Sequence, residues 1–357
     1  MKVLMKGNEA VAEGAIAANC LHYFGYPITP QSEIAAHMSK RLPKIGGVFL
    51  QAESEIGAIN MVIGASAAGK RCMTSSSSPG IALKSEGLSY LAGCDLPAVV
   101  VNIQRGGPGL GGIQPSQADY FLATRSAGHG DFRLLVLAPS GVQEMFDMTR
   151  DAFDLADKYR MTVMVLSDGV LGQMMEPLDA SEKPGAELPA KDWALTGTGS
   201  RADGNKKRKI VNSLYLEPEE LERRNIERFE RYALIAETET RFERYMLDDA
   251  RIVVVAYGAT ARVAKNAVNM ARANGVKAGL FRPITVWPFP RKELKELAGY
   301  AGAFVTAEMS MGQMIDDVNL AIECRKPNLL ASRTGGVVHV PEDILGKIEE
   351  AAKANEI

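Results

Sequence analysis

Short apolar runs alternate with longer stretches whose apolar residues recur at helical spacing, and this rhythm fills residues 45 to 170. GGVFLQ, RCMTSS, AVVVNIQ, RLLVLAP and MTVMVLS are each followed by a segment with apolar residues three and four positions apart. The short runs show little polar alternation, as strands buried on both faces do. The pattern therefore predicts an α/β fold, a parallel sheet with helices on both faces. From residue 251 the rhythm resumes with RIVVVAYGATARVAKNAVNMARANG, a strand, a glycine turn and a helix closed by Gly275. Further strands are predicted at VKAGLF, AFVTAE and NLLAS, with a helix opening at WPFPR between the first two. In between, the strand signal vanishes: a basic run, NKKRK, starts at 205, and EPEELERRNIERFERY alternates charge densely, as a solvated helix face does. The chain thus divides into a domain over 1–178, a charged connector with an exposed helix over 179–250, and a second α/β domain over 251–357.

A length of 357 residues is enough for two cores of this kind. With 41 basic residues against 43 acidic, nothing asks for nucleic acid or an anionic membrane as a partner. The N-terminal segment lacks a signal peptide's apolar stretch, and no run of eighteen apolar residues follows, so the chain reads as cytoplasmic. Cys20, Cys72, Cys94 and Cys324 form no C-x-x-C pair, and the four histidines are equally scattered. No zinc site, iron–sulfur cluster or other protein-held metal is expected in this chain.

Four segments could carry chemistry. In FGYPITPQSE, Pro27 and Pro30 stiffen a loop around Thr29, whose hydroxyl either meets a carboxylate or, like Ser32, caps the helix that follows. In QAESEIGAINMVIGAS, Glu53 and Glu55 stand where a strand gives way to a helix of small residues. They are either first-turn acids favoured by the helix dipole or, if buried against a basic nitrogen, catalytic. TSSSSPG offers the hydroxyls of Ser76 and Ser77 and free N–H groups at a helix start, fit for an anion, a polar ring or a plain cap. In QRGGPGLGGIQPSQADY, Arg105 precedes five glycines in seven residues and suits bidentate binding of a carboxylate, the bland alternative being a rim salt bridge. Pro108 inside that run and Pro115 after it argue against a dinucleotide-binding turn, which needs a helix packed on its third glycine.

Taken together and in this order, GYPITPQSE, QAESEIGAINMVIGAS, TSSSSPG and QRGGPGLGGIQPSQADY resemble the 2-oxoacid:ferredoxin oxidoreductases, in the subunit that carries the pyrimidine-binding domain of the thiamine-diphosphate fold and a transketolase C-terminal-like domain. The likeness spans the whole chain, and FGYPITPQ, the glycine-rich segment and GQMMEP look most like the branched-chain members. The resemblance implies that Glu55 bonds the aminopyrimidine ring nitrogen and favours the imino tautomer that activates the thiazolium carbon. It implies that Thr29 and Arg105 hold the substrate carboxylate, and that Pro27, Ile28, Ser76 and Ser77 line the cofactor. Glu55 is chosen over Glu53 because it stands nine residues before Gly64, matching the family's spacing.

The implied reaction is coenzyme A-dependent oxidative decarboxylation of 3-methyl-2-oxobutanoate with ferredoxin reduction; 2-oxoglutarate is the alternative substrate. Thiamine diphosphate would be shared with a diphosphate-binding catalytic subunit, with magnesium and [4Fe–4S] clusters on partners, which include a gamma subunit and a ferredoxin-like subunit. The nearest segment to a diphosphate-and-magnesium motif is SDGVLGQMMEP around Asp168, and it lacks the downstream asparagines of that motif. A nucleotide-dependent dehydrogenase and a non-catalytic scaffold are the competing classes. Arg282, Pro283, Trp287, Pro288 and Glu308 read as structural or interfacial.

Overall fold

The computed structural model describes residues 2–125, 127–181, 187–196 and 209–356. Its strands are β1 (Lys2–Lys6), β2 (His22–Gly25), β3 (Val48–Gln51), β4 (Cys72–Ser76), β5 (Ala98–Gln104), β6 (Leu135–Leu137), β7 (Thr162–Asp168) and β8 (Met175–Asp179), then β9 (Phe242–Tyr245), β10 (Ile252–Val255), β11 (Ala278–Pro283), β12 (Thr285–Trp287), β13 (Ala303–Glu308) and β14 (Asn328–Ser332). The first sheet runs β12-β6-β7-β5-β4-β2-β3 and is parallel except for β12. The second runs β14-β13-β10-β11-β9, parallel except for β9, and β1 pairs with β8 in a separate antiparallel ribbon.

Helices cover both faces of the first sheet, and the split follows the two-residue period of its strands. Val99, Val101 and Ile103 of β5 pack with helices Gly7–Ala17 and Val142–Tyr159, while Ala98 and Val100 face helix Glu55–Ala67. Every residue of β5 and β7 is buried, which accounts for the unbroken apolar runs in the sequence. The second core continues the first: Tyr257, Phe281 and Phe304 join the same apolar cluster as Val100 and Leu88.

Polar contacts also fix the two α/β layers to each other. The Gln117 side chain donates to the Tyr257 carbonyl at 2.9 Å and accepts from Thr260 Oγ1 at 2.7 Å and Met309 N at 2.9 Å. Buried Arg282 pairs with Glu144 of the first layer at 2.7 Å and Glu243 of the second at 2.8 Å, an interfacial role.

The backbone departs from the composition-based boundaries in two places. Phe242–Tyr245, inside the stretch read as connector, is β9, so the connector ends earlier than 250. It is an edge strand whose two aromatic residues lie on opposite faces, Phe242 against the core shared by the two layers and Tyr245 against the second core. Thr285–Trp287, from the C-terminal segment, adds β12 to the first sheet. The helix expected in the connector spans Pro218–Thr238; most of it is solvated, but Arg228, Tyr232 and Ile235 are buried. The NKKRK run lies, apart from its last residue, outside the described residues.

Candidate cofactor and substrate site

Chain order places the singled-out segments at one edge of the first sheet. From β2 the chain steps outward to β3 and then returns to the other side of β2 to form β4, so the connections from β2 and β4 leave in opposite directions. In an open parallel sheet such a reversal opens a crevice at the carboxyl ends of the strands, the usual ligand position. The loop Tyr26–Pro30 leaves β2 there, helix Glu55–Ala67 starts just after β3, Ser76 ends β4, and Arg105 follows β5.

Ser54 caps helix Glu55–Ala67 by accepting from Gly57 N at 3.0 Å, which sets Glu55 in the first turn. Glu55 is 6% exposed, whereas Glu53 lies on the surface beside Gly57. Among the described residues none hydrogen-bonds the Glu55 carboxylate, which stays open to the crevice. A side chain at Gly80 would place its Cβ 2.1 Å from Ser76 Oγ and 2.8 Å from Glu55 Oε1, so only glycine lets the helix Ser78–Leu83 approach this closely.

Around this carboxylate the structure gathers polar atoms that are buried yet unpaired: Thr74 Oγ1, Ser76 Oγ, Ser77 Oγ, Lys84 Nζ and Asn102 Oδ1. Native proteins rarely leave such atoms unmet, and a cluster of them is the mark of a site completed by a ligand. Ser77 occupies the N-cap position of its helix, yet its hydroxyl makes no capping bond. Register sets Ser76 beside Asn102, so their side chains share the face that Glu55 covers. Burial pushes the Lys84 amine down to about 8, against the opposing pull of the Glu55 charge. An acid open to the crevice, hydroxyls, an amide and an ammonium form a donor and acceptor set that fits a polar nitrogen heterocycle such as the aminopyrimidine of thiamine diphosphate.

Thr29 and Arg105 come together at the mouth. Arg105 is buried and donates from Nη1 to the Thr29 carbonyl at 3.0 Å and from Nη2 to the Leu110 carbonyl at 3.2 Å, while its Nε is unpaired. Among the described residues no carboxylate pairs with it, which removes the rim salt bridge. Ser78 Oγ accepts from Arg105 N and donates to Arg105 O, tying β5 to the crevice helix. Thr29 is exposed and its hydroxyl caps nothing; the cap of helix Ser32–Arg41 is Gln31, and Ser32 donates instead to the Ile28 carbonyl. Pro27 is exposed and Ile28 half-buried on the same loop. The glycine-rich run closes on itself, Gly112 N donating to Gly106 O at 2.9 Å, and the next helix begins only at Tyr120. A dinucleotide turn is therefore absent from this segment.

Asp168 is spent elsewhere. Its Oδ1 accepts from Val170 N at 2.8 Å and Leu171 N at 3.2 Å as the cap of helix Gly169–Gln173, and burial raises its carboxyl to about 6. Glu308, read as structural, accepts from Gln313 N, Met314 N and Ile315 N at the start of helix Met314–Ala321. Sequence reading missed Gln31, Ser75, Ser78, Lys84 and Asn102. Gln31 is fully buried, accepts from Ser75 Oγ at 2.6 Å and donates to the Tyr26 carbonyl, and so fixes the loop that carries Thr29.

With this geometry in view, the likeness to known proteins is specific. Residues 13–233 match the family described as pyruvate flavodoxin/ferredoxin oxidoreductase, thiamine-diphosphate-binding, and residues 250–344 match pyruvate:ferredoxin oxidoreductase core domain II. The chain is 51% identical over 98% of its length to the ketoisovalerate oxidoreductase subunit VorB of Methanothermobacter marburgensis, covering 97% of that protein. It is 37% identical over 96% of its length to the 2-oxoglutarate synthase subunit KorA of the same organism, again covering 97%. Among solved structures it matches 2-oxoglutarate:ferredoxin oxidoreductase from Magnetococcus marinus with a TM-score of 0.84 and 30% identity, covering 98% of this chain and 65% of that one. A split-gene transketolase shares the fold at a TM-score of 0.60 and 15% identity, over 98% of this chain and 97% of that one. The chain belongs to the pyruvate flavodoxin/ferredoxin oxidoreductase family of thiamine-diphosphate-binding proteins, among relatives that are subunits of 2-oxoacid oxidoreductases.

Proposed function

We propose that this chain is the pyrimidine-binding subunit of a 3-methyl-2-oxobutanoate:ferredoxin oxidoreductase, which forms the branched acyl-coenzyme A and reduced ferredoxin. The observation that carries the substrate is the 51% identity to ketoisovalerate oxidoreductase subunits against 37% to 2-oxoglutarate synthase subunits. The apolar surface at the mouth, with Leu110 and Ile113 exposed, supports a branched aliphatic substrate.

Thiamine diphosphate, when bound, supplies the carbon nucleophile and the electron sink that let a 2-oxoacid lose carbon dioxide. Glu55 would bond the pyrimidine ring nitrogen, with Ser76 and Ser77 giving that ring hydrogen-bond partners and Pro27 and Ile28 packing at its edge. Arg105, with the Thr29 hydroxyl, would orient the substrate carboxylate so that the keto carbon faces the cofactor. The guanidinium is already fixed by two carbonyls, so little ordering is needed when substrate arrives.

The rest of the machinery belongs to partners in this reading: a subunit holding the diphosphate and magnesium, a gamma subunit, and a ferredoxin-like subunit with [4Fe–4S] clusters. Ile56 and Leu83, exposed beside the crevice, offer an apolar rim for a second subunit. No helix among the described residues is long and apolar enough to cross a membrane, and we place the complex in the cytoplasm.

Co-expression with the candidate partners, followed by viologen or ferredoxin reduction with coenzyme A, tests the reading. Turnover of 3-methyl-2-oxobutanoate that exceeds that of 2-oxoglutarate and pyruvate and disappears in Glu55→Gln is the expected result. Activity confined to 2-oxoglutarate overturns the substrate, and full turnover by Glu55→Gln overturns the role of the acid.

A further inference from the structure

Lys84 is the one lysine among the described residues whose ammonium is both buried and unpaired: the residue is 0% exposed and its Nζ has no hydrogen-bond partner. It follows the helix Ser78–Leu83 in helical backbone conformation, four residues after Gly80, so its stem lies on the face that Gly80 presents to Glu55. The charge that reaches the ammonium through this space is that of the Glu55 carboxylate, with which it forms no direct hydrogen bond.

We propose that Lys84 is a positioning residue for Glu55: its ammonium holds the Glu55 carboxylate ionised, so that the proton shared between Glu55 and a basic ring nitrogen sits on the ring. This deepens the thiamine-diphosphate reading and rests on it. The step is a proton transfer only: the carboxyl O–H bond breaks, a ring N–H bond forms, and no electrons are exchanged with a third species. A buried carboxylate facing no positive charge would keep the proton, and the ring would receive a hydrogen bond in place of a charge. The downward displacement of the Lys84 amine by burial, partly countered by Glu55, accords with two groups that sense each other.

The test begins with the full chain without cofactor. Lysine labelled at 13Cε is titrated by NMR, the Lys84 signal being assigned by its loss in Lys84→Arg. In Glu55→Gln the Lys84 titration is expected to move down by about one pH unit, and in Glu53→Gln to stay in place. A Lys84 titration that Glu55→Gln leaves unchanged overturns the proposal. In the assembled complex, Lys84→Met is expected to lower kcat by about tenfold or more and to displace its pH profile, with Lys84→Arg restoring both. A loss confined to KM, or one that Lys84→Arg does not rescue, also overturns it. A complex whose turnover is indifferent to thiamine diphosphate sinks the cofactor reading instead, and the titration then decides the pairing of Lys84 with Glu55 alone.

Discussion

Arg105 donates to the main-chain carbonyl of Thr29 at 3.0 Å, so the two residues proposed to hold the substrate carboxylate are joined by backbone from the loop after β2 and a side chain at the end of β5. The contact uses one arm of the guanidinium, Leu110 O takes the second, and Nε is left unpaired in a buried setting. A cation with fixed geometry, an unused donor and no carboxylate partner among the described residues is prepared for an anion that arrives from outside.

Arg105→Lys keeps the charge and removes the fork, so the two carbonyl contacts and the carboxylate contact can no longer be made together. A hydrogen bond to a charged group contributes about 1.5–3 kcal/mol, so KM for the 2-oxoacid is expected to rise about 10- to 100-fold, with a smaller change in kcat. Steady-state kinetics of the assembled complex check this, and an unchanged KM would place the substrate carboxylate elsewhere.

Gly80→Ala should damage the site more than the fold. The added methyl would meet Ser76 Oγ at 2.1 Å and Glu55 Oε1 at 2.8 Å, both side chains of the crevice and neither backbone, so the strain falls on the pair proposed to face the cofactor. Overpacking of this size costs about 1–3 kcal/mol. The expected outcome is a melting temperature lowered by a few degrees, together with at least tenfold weaker binding of thiamine diphosphate. A variant that binds the cofactor as tightly as wild type would show that the crevice over Gly80 is not used.

Much of this site was legible in the residues. Glu55, Ser76, Ser77 and Arg105 each stand where a strand ends, and polar groups at strand ends of a parallel sheet point to a crevice whatever the family. Lys84 was not legible: between Leu83 and Ser85 it reads as a solvated position, yet the residue is fully buried, and burial of a charged side chain is set by tertiary packing that local sequence does not show. β2 and β12 escaped for a related reason. Runs of four and three residues carry too little periodicity, and β12 finds its partner β6 nearly 150 positions earlier.

The junction of the two α/β layers should weaken in acid. Burial works to raise the Glu144 carboxyl, but the hydrogen bonds and charge of Arg282 outweigh it, with help from Ser140, so the group titrates below the ordinary carboxylate range. A carboxylate depressed in the folded state contributes stability that is present above its unfolded pKa and lost as pH falls through the folded value. Glu144→Gln is therefore expected to cost about 1–3 kcal/mol at pH 7, Arg282 retaining its contact with Glu243. The difference from wild type should shrink once the pH drops below about 4. Denaturant unfolding at pH 7 and in acid checks this, and a difference that stays constant would remove the ion pair as its source.

Ser76 and Ser77 separate a binding role from a structural one. A hydroxyl that supports the fold loses a hydrogen bond when removed, and stability falls by about 0.5–1.5 kcal/mol. These two hydroxyls make no hydrogen bond in the chain although both residues are fully buried, so each bears a desolvation cost with nothing to offset it. Ser76→Ala and Ser77→Ala should accordingly leave the free chain as stable as wild type or more so. The same substitutions should weaken thiamine diphosphate binding in the assembled complex, where the hydroxyls gain a partner. Thermal melting of each variant with and without the cofactor reads both quantities at once. Loss of stability in the free chain would mean that the hydroxyls serve the fold, and the cluster of unpaired atoms beside Glu55 would then lose its standing as the imprint of a ligand.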